Sequence, residues 1–174
     1  MKKTLIVVDM QNDFIDMALG TPEAVAILPA VKARIDAYAA AGHEILYTRD
    51  THEENYLDTP EGKKLPVKHC IRGTEGWQIR QELDALRKTE AIDTVTFGAS
   101  DLVTVLEAEE RIDSITFCGL CTDICVISNV MLTKAFFPEI PLIVDAAGCA
   151  GVTPRSHENA LQAMKVCQVK VINE

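Results

Sequence analysis

The sequence contains no apolar run near the ~20 residues that a membrane-spanning helix requires. It has no excess of positive charge: 17 Lys and Arg stand against 26 Asp and Glu, for a formal net charge of −9. A surface of that sign repels phosphate backbones and anionic lipid, which argues against nucleic acid and membrane as partners. Low-complexity stretches, internal repeats and long linkers are missing, so the 174 residues read as a single domain, 1–174. The start superficially resembles a signal peptide, but its apolar run covers only Leu5 to Val8 and ends at Asp9, so export is not expected. Cys70, Cys118, Cys121, Cys125, Cys149 and Cys167 lack the spacing of a small secreted scaffold. They read as reduced thiols of a cytoplasmic protein.

What the chain has is alternation. Short runs rich in Val and Ile at 4–8, 44–48, 91–95, 114–118, 141–144 and 169–172 predict strands. Several are almost continuously apolar, as parallel strands covered on both faces are. Between them, helices are expected at 24–41, 77–86, 101–109, 122–136 and 155–166. Gly42 is placed to close the first helix, Ser100 and Thr122 to cap theirs, and Thr153-Pro154 to open the last. This order predicts an α/β fold, a doubly wound parallel sheet. Ligands in such folds bind at the carboxyl ends of the strands. Asp9, Asp50, residues 94–98 and residues 119–125 follow the first four strands, so they are expected to converge. The interval 51–75 is long and patternless, which suits a functional loop.

Three segments carry chemistry. In Cys118-Gly119-Leu120-Cys121-Thr122-Asp123-Ile124-Cys125, a strand runs into a tight turn and a helix. Cys125 is expected in the first helical turn, where free N–H groups and the helix dipole lower a thiol pKa and could hold an oxyanion. The alternative is a small cysteine packed under the helix. A Cys121–Cys125 metal or redox pair fits less well, because the interval is not the usual two residues. Asp9, at a strand's carboxyl end, has the position of a base with a raised pKa, or of a turn aspartate. Asp50, His52 and His69 are ligand types that suit Zn, Fe or Mn, with Glu54 a further oxygen; the alternative is a pair of loop histidines without a metal.

Four ordered segments together resemble the isochorismatase-like cysteine hydrolases, and within them the nicotinamidase branch. They are Val7-Val8-Asp9-Met10-Gln11-Asn12-Asp13-Phe14; Thr48-Arg49-Asp50-Thr51-His52 with Leu65-Pro66-Val67-Lys68-His69-Cys70; Thr96-Phe97-Gly98-Ala99-Ser100-Asp101-Leu102; and Gly119-Leu120-Cys121-Thr122-Asp123-Ile124-Cys125-Val126. The resemblance implies a three-layer α/β/α sandwich with a six-stranded parallel sheet. It implies hydrolysis of a small amide through a thioester, with Cys125 as nucleophile and Asp9 as general base. It also implies a cis Leu120–Cys121 bond, an oxyanion hole from the N–H groups of Cys121 and Cys125, and substrate contacts from Gln11, Phe14 and Ile124. Asp50, His52 and His69 would hold a divalent metal, and the protein would be a homo-oligomer.

Two departures from that pattern have consequences. The family's triad lysine falls at Thr94 here, which removes an ammonium from the site. A relative without that lysine could instead be a weak or inactive binding protein. Lys63, Lys64 and Lys68 are the cations with a chance of reaching in. The aromatic side chains common before the nucleophile and beside the metal histidine are replaced by Ile124 and Leu65.

Overall fold

Residues 2–174 are described by a computed structural model. Six parallel strands form one sheet in the order β3-β2-β1-β4-β5-β6. They are β1 (Lys3–Val8), β2 (Glu44–Asp50), β3 (Ile92–Thr94), β4 (Ser114–Leu120), β5 (Leu142–Ala150) and β6 (Lys170–Ile172). The chain starts at the centre, winds outward through β2 and β3, then returns to β4 beside β1 and winds outward the other way. The switch point lies between β1 and β4, where an open parallel sheet leaves a crevice at its carboxyl edge.

Every residue of β4 is buried, as is β1 from Thr4 to Val8. Strands buried along their whole length need cover on both faces. Helix α3 (Leu28–Ala40) packs on β1, β2 and β5. Helices α6 (Ser100–Glu107), α7 (Ile127–Phe136) and α8 (Pro154–Val166) pack on one another and against β3, β5 and β6. Short helices α1 (Asn12–Ile15), α2 (Pro22–Ala26), α4 (Pro60–Lys64) and α5 (Gln81–Asp84) lie in the connections. The fold is the doubly wound parallel sheet that the alternation predicts, and no helix among the described residues is long and apolar enough to cross a membrane.

Local rules account for the boundary differences. The single helix expected at 24–41 is two, α2 and α3, because Pro29 cannot donate its backbone nitrogen and sits in the first turn of α3. Only α5 forms within 77–86; the Trp77 ring stacks under the Arg49 guanidinium at 3.5 Å instead. Ser100 is the first residue of α6, whose cap is Ala99. Thr122 also caps nothing, since its hydroxyl meets His157 Nδ1 at 2.7 Å. Thr153 behaves as expected and exchanges capping bonds with Ser156.

Gly119 joins the scaffold to the crevice. It faces Val8 across the β1–β4 ladder with φ of +125°, and a Cβ there would lie 2.0 Å from the Val8 carbonyl oxygen. Gly42 also has positive φ but open space around it. Gly42→Ala is therefore expected to cost about 1 kcal/mol, the conformational term alone. Gly119→Ala should cost at least ~3 kcal/mol. Urea unfolding of the two variants checks the difference, and equal costs would contradict the close approach.

Candidate active site

The carboxyl edge collects the expected segments. Asp9 follows β1 in the left-handed region at φ +47° and is 1% exposed. That backbone geometry turns its carboxylate in toward β2, where Oδ1 accepts the Thr48 hydroxyl at 2.6 Å. Oδ2 is buried without a hydrogen-bond partner. Burial raises the Asp9 pKa to about 7, helped by the Asp50 charge and opposed by donors from Thr48, Cys125 and the Asp50 backbone.

Cys125 lies beside it, in the turn Thr122–Val126 ahead of α7. The turn is wider than an α-helical one: the Val126 N–H donates to the Cys121 carbonyl, five residues back, at 3.0 Å. The Leu120–Cys121 peptide is cis. The thiol is 6% exposed and faces a cavity. Its S–H acts on the Asp9 carboxylate, although Oδ2 lacks a partner at full hydrogen-bond geometry.

The thiol departs from the sequence expectation. A helix start alone would lower the Cys125 pKa. Burial raises it well above the ordinary thiol range instead, followed by the carboxylates of Asp9 and Asp50. No cation figures among the leading influences on either Asp9 or Cys125. Thr94, where the family lysine would stand, is buried, and its hydroxyl donates to the Thr96 carbonyl at 3.0 Å. Lys68 pairs with Glu54 at the surface, while Lys64 lines the cavity.

Asp50, His52 and His69 bring one ligand atom each within 4.8 Å of one another, all buried. His52 Nε2 sits 3.1 Å from Asp50 Oδ2, off the line of a hydrogen bond, and is an orphaned buried nitrogen. His69 Nδ1 meets the Val67 carbonyl at 2.8 Å, which assigns its proton there and leaves Nε2 free to face the cluster. Burial disfavours protonated His52, but Asp50 and Glu61 outweigh it and raise its pKa. An orphaned nitrogen among nitrogen and oxygen donors fits a divalent ion. Glu54 does not join the cluster. Glu61 does, with Oε1 3.7 Å from His52 Nε2 and 3.9 Å from His69 Nε2. The Thr59-Pro60 start of α4, with the Thr59 hydroxyl accepting from the Gly62 N–H, signals a helix start but not which way Glu61 faces.

Phe14 and Ile124 line the cavity, as does Cys121. Gln11 is not among the lining residues. It is fully buried, and its amide clasps backbone: Oε1 accepts the Asp50 N–H at 2.8 Å, while Nε2 donates to the carbonyls of Asp50 and Trp77 at 2.8 and 2.9 Å. It positions Asp50 and does not line the cavity. Asn129, which carries no sequence signal, does the same for the Cys125 turn. It donates to the Cys125 carbonyl at 2.9 Å and accepts the Ala99 N–H at 2.9 Å. Asp13 accepts the Cys70 N–H at 2.7 Å and so fixes the end of the loop that carries His69.

A parallel α/β domain with a thiol, a carboxylate and a histidine-rich cluster at its carboxyl edge defines a hydrolase architecture. The chain belongs to the isochorismatase family: the family model for the isochorismatase domain matches residues 3–174. It is 26% identical to the nicotinamidase/pyrazinamidase of Mycobacterium tuberculosis, over 98% of each protein. Its structure is similar to that of nicotinamidase/pyrazinamidase from Bacillus subtilis, with a TM-score of 0.86, 26% identity and coverage of 99% and 100%. A pyrazinamidase from Pyrococcus horikoshii, solved in complex with zinc, gives 0.84 and 25% over the full length of both chains.

The buried Asp9 yields a stability prediction. Its pKa is about 7 when folded and ~3.9 when unfolded. The folded state thus holds a proton that the unfolded state has lost between those values, and stability falls as pH rises through that window. Asp9→Asn removes the buried charge, and Asn tolerates the positive φ. The variant should be more stable than wild type by roughly 2–4 kcal/mol at pH 8, and equal to it near pH 4. Chemical denaturation across pH checks this; a difference independent of pH would contradict it.

Proposed function

We propose that the protein hydrolyses a small primary amide through a Cys125 thioester, with Asp9 as the proton carrier. The observation that supports this most directly is the coupling of a buried, unpartnered Asp9 oxygen to a cavity-facing thiol. The Cys125 proton passes to Asp9 as sulfur bonds to the amide carbon. The N–H groups of Cys121 and Cys125 hold the resulting oxyanion. The C–N bond breaks, Asp9 returns its proton to the leaving nitrogen, and ammonia departs. Water then attacks the thioester, giving one proton to Asp9, which hands it back to sulfur as the acid leaves. Because the resting thiol pKa is raised, the proton moves only when a carbonyl is in place to take the electron pair.

Asp50, His52 and His69, with Glu61 beside them, would hold a zinc, iron or manganese ion. Such an ion supplies a Lewis acid that orients a water or a substrate lone pair. The chain's own contribution is to keep that cluster rigid through Gln11 and Asp13.

A second reading is favoured by Thr94. Without an ammonium at the pair, the protein would be a binding relative that turns over little or nothing. Ammonia release from nicotinamide, pyrazinamide and simple aliphatic amides separates the two. The hydrolase reading expects release, a rate that climbs on the acid side through about pH 7 as Asp9 ionises, and a fall of about 10³-fold or more in Cys125→Ala. It also expects Thr94→Lys to raise kcat/KM. No release by either form would favour the binding reading.

A further inference from the structure

We infer that the substrate carries an extended, predominantly apolar acyl group, not one compact ring. The reacting bond in this inference rests on the hydrolase reading above; the acyl group rests on the cavity. That cavity holds about 650 Å³, within the ~300–1,000 Å³ of clefts that enclose drug-sized ligands. A single ring bearing a carboxamide would leave much of it as solvent.

The walls are suited to apolar contact. Leu19 and Ala24 approach from the α1–α2 segment, Val95 and Phe97 from the loop after β3, Ile124 from the nucleophile turn and Val152 from the loop after β5. These four segments surround the space, so the apolar surface is not one flat patch. Val95 is 70% exposed, Val152 53% and Phe97 48%. Such side chains at the mouth of a catalytic cleft gain from burial by a ligand. Three polar side chains in the same walls are already engaged, and Lys64 is the one cation among the lining residues. The Thr21 hydroxyl accepts from the Ala24 N–H at 3.0 Å, and that of Thr96 donates to the Gly98 carbonyl at 2.8 Å. Glu61 turns to the histidines. Beyond the reacting groups and Lys64, the walls therefore select by shape and apolar contact.

The test measures binding and turnover separately. Affinities of straight-chain primary amides from acetamide to octanamide, and of nicotinamide, are read by calorimetry on the Cys125→Ala protein. Values of kcat/KM are read on wild type. Each added methylene is expected to tighten binding by about two- to fourfold until the cavity is filled. Val95→Asp and Val152→Asp, at exposed positions, should each shrink the octanamide-to-acetamide affinity ratio at least about fivefold. An affinity ratio near one in the parent protein overturns the inference, as does nicotinamide binding more tightly than every chain amide. Chain-length-dependent binding with no hydrolysis upholds the acyl group and sinks the hydrolase reading. Hydrolysis of nicotinamide with flat chain dependence does the reverse.

Discussion

A carboxylate removed from water, with burial the largest influence on its proton affinity, is the constraint on which the site depends. Asp9 has one formed side-chain hydrogen bond, from Thr48, and a second oxygen with none. Desolvation raises its proton affinity to the neutral range, where a carboxylate can both accept and return a proton near pH 7. The same desolvation, together with Asp9 and Asp50, keeps Cys125 protonated at rest. Under the proposed hydrolysis, acid and thiol form a pair holding one transferable proton. The Thr94 hydroxyl is used within its own strand end and offers no charge.

The fold's contribution is to hold that unfavourable arrangement in place. Asp9 and the Cys125 turn follow adjacent central strands, brought together by the Val8–Gly119 approach. Around them, buried amides and a carboxylate tie loops to strands: Gln11 to Asp50, Asn129 to Cys125, Asp13 to the segment behind His69. Each satisfies backbone groups that a buried loop would otherwise leave unpaired. The cost of burying Asp9 is borne by a core of apolar strands.

The sheet was legible because parallel strands buried on both faces are written as near-continuous Val and Ile runs. All six expected strand positions are occupied, and the carboxyl-end rule brought Asp9, Asp50 and the Cys125 turn together correctly. Helix detail was less legible where tertiary contacts competed with local signals. Thr122 reads as a cap, yet its hydroxyl goes to His157 across 35 residues. Gln11 reads as a substrate contact in a motif, yet only the fold shows both ends of its amide used on backbone. Glu61 and Asn129 were missed for the same reason: a single Glu or Asn carries no pattern until a loop or helix turns it inward. The sign of the Cys125 shift was misread because the helix start is visible in sequence, while the depth of burial and two nearby carboxylates are not.

The most direct test is the rate of Cys125 alkylation by iodoacetamide against pH, followed by peptide mass spectrometry in metal-free protein. The account predicts a rate still climbing above pH 8.5, the range of an ordinary thiol, and a curve displaced to lower pH in Thr94→Lys. A plateau reached below pH 7 would mean that the resting thiolate already exists, and would contradict the shared-proton description of Asp9 and Cys125.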